Sequence, residues 1–437
     1  MLSLLGFLMI ATFMFLIMSK RLSALVALIL IPVLFALVGG FGPELGTMMM
    51  DGVKNIAPTG VMLIFGILYF GIMIDAGLFD PLVNKTLKIV KGDPLKIVIG
   101  SAILALLVSL DGDGSTTYMI VIAAMLPLYK KLNMNPLILT AVTMLAGGIM
   151  NITPWGGPTA RAMSALHLDS AELFNPMIPG MVVGSAWVVF VAFILGRKER
   201  KRLAANGTYV YREGGSFDVF ESETAATEEM SYKRPRLIWI NLALTVGLLV
   251  GLVSGFMPLA ILFMIAFSLA LLINYRSLEE QQERIASHAG NALSVAAMVF
   301  AAGIFTGILS GTQMVDAMAQ TLVAIIPDAM GPHMPVITAI ASMPFTFFMS
   351  NDAYYFGILP LVTEAAATYG VDAVEMGRAS LLGQPVHLLS PLVPSTYLLV
   401  GLAGVNFGDH QRFTLKWAIG STLVMLITAL IIGVIGW

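Results

Sequence analysis

Residues 97–128 read IVIGSAILALLVSLDGDGSTTYMIVIAAMLPL, and their pattern decides the fold. Two apolar arms flank a polar centre, Asp111-Gly112-Asp113-Gly114-Ser115-Thr116-Thr117. The leading arm, 97–110, has 14 residues, which at about 1.5 Å per helical residue reaches roughly 21 Å. A hydrocarbon core is about 30 Å thick. An arm that stops part way and meets glycines and carboxylates must turn back, so the stretch predicts a re-entrant hairpin. Residues 335–367 have the same character, with Ser350-Asn351-Asp352 at their centre.

The rest of the chain agrees with a membrane setting. Of 437 residues 58% are hydrophobic and only 11% charged, where soluble proteins carry about 25% charge. Sixteen of the 50 charged residues fall within 197–236, which excludes a soluble globule for the remainder. A net charge of −2 suggests no nucleic-acid partner. The chain has no cysteine, which excludes disulfides and thiolate chemistry. Residues 1–18 lack a basic n-region and a small-residue cleavage site, so they read as a retained first helix. Ten spans are expected, at 1–18, 23–40, 58–76, 136–166, 177–196, 236–253, 257–274, 290–311, 376–404 and 413–437.

Positive charge tests the count. With the N-terminus outside and both interrupted stretches returning to the side they left, 21 of the 24 Lys and Arg residues lie inside, leaving Lys54, Arg161 and Arg378. A full crossing at 97–128 would send Lys130 and Lys131 outside. Both termini are therefore expected outside the cytoplasm, with 197–236 as a polar cytoplasmic linker.

The halves resemble each other in order. GIMIDAGLFD (71–80) matches GILSGTQMVD (307–316), each half then has its interrupted hairpin, and each hairpin's returning arm contains Leu-Pro-Leu. A long span broken by prolines follows, NITPWGGPT (151–159) in one half and HLLSPLVPST (387–396) in the other. The predicted fold is an all-α polytopic membrane protein. It has two inverted repeats, 1–196 and 237–437, each of five transmembrane helices plus one re-entrant hairpin, with broken helices at the centre. This is the pattern of secondary transporters, whose sites sit where discontinuous helices meet near mid-membrane.

Polar residues at the four breaks are the candidate site. Asp111 and Asp113 are costly inside an apolar hairpin, by roughly 2.5–3.5 kcal/mol each. Gly112 and Gly114 permit tight turning, and Ser115, Thr116 and Thr117 start the returning arm, with hydroxyls and backbone N–H groups facing the break. At the second tip Ser350, Asn351 and Asp352 offer acceptors for a cation or proton. Capped turns would explain either tip alone, but not their matched placement. In the first broken span, Asn151, Thr153, Gly156, Gly157 and Thr159 line the break. Arg161 follows, suited to a bidentate carboxylate, with Asp111 or Asp113 as its expected partner if it forms a structural ion pair. In the second, Gln384, His387, Ser390, Ser395 and Thr396 are the polar candidates. His387 is either a proton carrier or a neutral ring bonded to a backbone carbonyl. Asp75, Asp80 and Asp316 read as interfacial helix ends, and the 29 methionines as packing or lipid-facing residues.

Five stretches carry a resemblance: LYFGIMIDAGLFDPLV (68–83), KGDPLKIVIG (91–100), LDGDGSTTYMI (110–120), MNITPWGGPTARAMSAL (150–166) and SNDAYYFGILP (350–360). In these the chain resembles the CitMHS family of bacterial citrate transporters, within the ion transporter superfamily. The resemblance implies a multi-pass protein of the bacterial plasma membrane. It also implies proton-coupled symport of citrate complexed with a divalent metal, of the magnesium or the calcium class. No cofactor is permanently bound on this reading, and a homodimer is left open. Asp111, Asp113, Asp352 and His387 become candidates for metal or proton contact, and the remaining break residues for citrate. Carriers of gluconate or a C4-dicarboxylate share the superfamily pattern, and a channel is a more distant alternative. No catalytic motif is present, so an enzyme is not expected.

Overall fold

The computed structural model describes residues 2–19, 21–90, 92–112, 114–205, 232–254, 256–324 and 327–436. Asp113 and most of the expected linker, 206–231, lie outside the described residues. Among the described residues there are helices and no strands. In the first half α1 (Leu2–Met18) and α2 (Ala24–Val38) precede the long α3 (Leu45–Asp75) and the short α4 (Asp80–Val90). In the second half α11 (Ile238–Ser254) and α12 (Leu259–Asn274) precede the long α13 (Leu278–Gly311) and the short α14 (Met314–Val323).

The hairpins come next. The first pairs α5 (Pro94–Val108) with α6 (Gly114–Lys131), and the second pairs α15 (Met334–Phe348) with a π-helical turn (Ala353–Ile358) and α16 (Leu359–Ala367). Each expected proline-broken span resolves into separate helices. These are α7 (Pro136–Met150) and α8 (Gly157–Leu166) in the first half, and α17 (Ala373–Leu381), α18 (Gln384–His387) and α19 (Pro394–Ala403) in the second. After α8 comes the short α9 (Ser170–Phe174), and the halves close on α10 (Ile178–Ala205) and α20 (Phe407–Ile431). All ten expected spans have helices in the structure.

Local chemistry starts several of these elements. Asp93 and Asn135 each cap a helix that begins with proline, their side chains accepting from Leu95 N and Leu137 N at 3.0 Å. Both feet of the first hairpin meet one stretch of α10. Arg200 reaches Asp93 before α5, while Glu199 accepts from Asn135 N and Arg202 donates to Asn133 O after α6. The arms therefore enter and leave on one side. The second hairpin's feet also meet each other, Met334 packing with Ala366 and Val371. They lie toward the opposite end of α10, because α17 just beyond them packs on α9, which leads into α10's start. At 28 residues, α10 spans roughly 42 Å.

Several expected boundaries moved. Helix α3 starts at Leu45 rather than 58, and α13 at Leu278 rather than 290. Their polar leading turns, with Asp51 and Lys54 in one and Glu279–His288 in the other, extend the helix beyond the apolar count. Ser277 caps α13 by accepting from Glu280 N. Likewise α10 continues past residue 196 into the basic run, where Arg202 pairs with Glu199.

The two long helices pack against each other at the centre, and the halves exchange partners around them. Helix α12 packs on α3 of the other half, and α2 packs on α13. Tyr69 of α3 hydrogen-bonds Thr245 of α11 at 2.8 Å. The exchange continues at the breaks, where α6 packs on α19 and the second hairpin packs on α8.

Candidate functional site

The first tip turns through Gly112, whose φ of +79° is in the left-handed region. A side chain there would be strained by that angle and would meet the Trp155 ring at 2.6 Å, so glycine is required twice over. Trp155 comes from the break between α7 and α8. Its Nε1 donates to Leu110 O at 2.9 Å, and its ring packs on Phe70 of α3 and Phe263 of α12. The α7–α8 break is thereby fastened to the first tip, and Asp111 is buried beside it.

The second tip is built differently. Met349 ends α15 in an extended conformation, and Ser350 Oγ accepts from Ala353 N at 3.2 Å. The chain then runs as a π-helical turn, with Leu359 N bonded to Tyr354 O five residues back. π-Turns concentrate at functional sites. No pattern in the sequence announced this one.

Arg161 ties the α7–α8 break to the second tip. It sits on α8 of the first half, but α8 packs on the second hairpin, so the carboxylate it meets is that of Asp352. Nε donates to Asp352 Oδ1 at 2.6 Å and Nη1 to Gly157 O at 3.0 Å. The sequence reading put Asp111 or Asp113 opposite Arg161. The cross-packing of the halves brings Asp352 instead.

Gln384 is a second junction. Its Nε2 lies 2.9 Å from Tyr355 OH and 3.4 Å from Asn351 Oδ1, while Asn151 Nδ2 donates to its Oε1 at 3.4 Å. Three of the four breaks therefore converge on one buried amide. Gln384 was among the polar candidates of the second broken span, but nothing in the sequence showed that three breaks meet on it.

Two cavities flank Arg161. One, of about 450 Å³, lies between α3, α13 and the first tip, and reaches Asp111, Gly112, Thr116, Gly157 and Arg161. The other, of about 340 Å³, lies among the breaks. Among expected site residues it is lined by Gly112, Gly114, Asn151, Gly157, Arg161, Asn351, His387 and Ser395. Both volumes suit a small polyanion.

Several expected site residues serve the scaffold. His387 Nδ1 donates to Thr346 O at 2.6 Å. Ser390 Oγ donates to Phe347 O, Thr159 Oγ1 to Ile152 O, and Thr396 to Leu388 O. Thr117 and Thr153 are buried, and they, Gly156, Ser115 and Ser350 line neither cavity. Among the described residues no three His, Asp or Glu side chains gather as a ready metal cage.

Comparison with known proteins fits this arrangement. The family model for citrate transporters, CitMHS, matches residues 13–383. A citrate transporter of Bacillus subtilis is 63% identical over 437 residues, covering all of both chains. A Mg(2+)/citrate complex secondary transporter of the same organism is 56% identical, covering 100% of this chain and 99% of its own. Among solved structures, the YdaH transporter of Alcanivorax borkumensis superposes with a TM-score of 0.55 at 15% identity, over 90% of this chain and 88% of that one. That likeness concerns the fold alone. By the family match and the two full-length relatives, the chain is a membrane transporter and belongs to the citrate transporter family, CitMHS.

Proposed function

We propose that the protein imports citrate as a complex with a divalent metal ion, coupled to protons, across the bacterial plasma membrane. The observation that carries this reading is Arg161. It ties the α7–α8 break to the second tip through Asp352 and lines both cavities, with its Nη2 free of protein partners among the described residues. Citrate near neutral pH is close to a trianion. Facing Asp111 in the cavity, with Asp352 close behind Arg161, it would be repelled, and a bound divalent cation together with Arg161 removes that conflict. The 56%-identical relative named for a Mg(2+)/citrate complex supports the same cargo.

On this reading Arg161, Asn151, Asn351, Thr116, Ser395 and the backbone at Gly112, Gly114 and Gly157 receive citrate carboxylates. Asp111, Asp113 and Asp352 take the metal or protons. The halves 1–196 and 237–437 act as inverted repeats joined by a cytoplasmic linker at 197–236. Their hairpins reach the site from opposite faces, which supports alternating access around a fixed centre.

The test is labelled citrate uptake in cells lacking a citrate carrier, with metals chelated and then Mg²⁺, Ca²⁺ or Na⁺ restored singly, with and without a protonophore. Uptake that requires one divalent class and collapses with the protonophore is expected. Uptake indifferent to divalents and driven by Na⁺ would reassign the three aspartates to sodium and overturn the mechanism.

A further inference from the structure

Helices α3 and α13 meet twice in the same register. A shift of 236 residues carries Met48, Gly52, Gly71 and Asp75 onto Arg284, His288, Gly307 and Gly311. At one meeting Gly307 lies against Gly52 and Met48. A Cβ on Gly307 would stand 2.4 Å from Met48 O and 2.9 Å from Gly52 Cα. At the other, Gly71 lies against His288, whose ring would stand 2.6 Å from a Cβ there. Small and apolar residues suffice to pack the first meeting. The second has a histidine, a carboxylate and a guanidinium in the same places.

These groups are bonded to one another. His288 Nε2 is 2.8 Å from Asp75 Oδ2, and Arg284 Nη1 reaches the same oxygen at 3.1 Å. His288 also lines the cavity of about 450 Å³ that holds Asp111, Thr116 and Arg161 on its other walls. Asn291 and Ser294 line that cavity too, a polar track along α13 from His288 toward the first tip. The His288 side chain is 24% exposed, open to water yet fixed by a carboxylate.

We propose that His288, held by Asp75, is a proton-carrying station between the cavity and the Arg284 end of α13. This rests on the proton-coupled reading above. The step forms and breaks one N–H bond on the imidazole, with water as proton donor and acceptor on its two sides. The charged groups that face the ring are Asp75 from α3, Arg284 on α13, and Arg161 and Asp111 across the cavity. Glu283 is engaged by Arg284 and by Tyr232, and Tyr275 lies near Asp75. Asp75 at the end of α3 and His288 within α13 thus acquire a role in coupling, and Asp75 is more than an interfacial cap.

The experiment compares gradient-driven accumulation of labelled citrate with citrate exchange at equal pH on both sides, in proteoliposomes with Mg²⁺. For His288→Gln the ratio of accumulation to exchange should fall about tenfold, because net transport must load and release a proton while exchange need not. For Asp75→Asn the pH profile of accumulation should shift, since the ring loses the carboxylate that holds it. An unaltered ratio in a folded His288→Gln protein overturns the proposal. So does a proportionate loss of both activities. If that variant does not fold, Asp75→Asn decides, and an unshifted pH profile overturns it. Wild-type accumulation insensitive to the proton gradient would overturn the proton-coupled reading itself, a failure visible before any variant is made.

Discussion

Replacing Asp352 with Asn removes the charge that Arg161 faces at 2.6 Å. At an effective dielectric of about 20 the attraction at that distance is about 6 kcal/mol, before desolvation is subtracted. Surface pairs net about 1 kcal/mol or less, while breaking a buried pair costs about 3–5 kcal/mol. The two side chains are 24% and 14% exposed, which places the expected loss from either single change at about 2 kcal/mol. Removing both charges in Asp352→Asn/Arg161→Met should restore most of that stability, because no buried charge is left alone. Thermal unfolding of the detergent-purified protein reads this. Citrate uptake should part company with stability. Uptake should stay impaired in the double variant even where stability returns, because that variant no longer has a guanidinium for the substrate. Uptake recovering together with stability would refute the argument and leave Arg161 as a structural brace.

Further expectations concern other parts of the frame. Gly112→Ala combines a positive φ with a contact against Trp155, so the tip must reshape. A cost of about 2–3 kcal/mol and loss of uptake are expected, checked by melting and transport together. Gln384→Leu leaves Tyr355, Asn351 and Asn151 without their shared amide, at about 1–3 kcal/mol. Gln384→Glu keeps the shape but loses the Nε2 donor in a fully buried site, so it should not recover that stability on the same melting assay. Glu199→Ala cuts the bonds to Asn135 N and Arg202 far from both cavities. It should lower the melting temperature while the KM for citrate stays within about twofold.

Much of the architecture was legible because membranes impose a length rule. The arms at 97–110 and 335–349 are too short to cross, and lysines on both sides of the first hairpin forbid a crossing. The structure shows the corresponding feet on one stretch of α10. Pro158 and Pro394 marked where α8 and α19 begin, since neither can donate a backbone hydrogen bond. Contacts between the halves were not legible. Arg161 met Asp352, and not a residue of its own half, because α8 packs on the opposite hairpin, and pairwise packing leaves no trace in apolar periodicity. The π-turn after Asp352 and the convergence on Gln384 escaped for the same reason. The polar leading turns of α3 and α13 were missed because apolar counting stops at the first charges, although the helices do not.

The exchange of partners between the halves has a consequence for biosynthesis. Helix α3 begins at Leu45, but its packing partner α12 begins at Leu259. More than 200 residues must be made in between, which at roughly 5–20 residues per second takes on the order of 10–40 s. During that interval a helix bearing Asp51 and Lys54 waits in or beside the translocation machinery without its native neighbours. The first half cannot mature ahead of the second. A pause or truncation anywhere before α13 should leave α3 exposed to membrane quality control, even when every residue of the first hairpin is already in place.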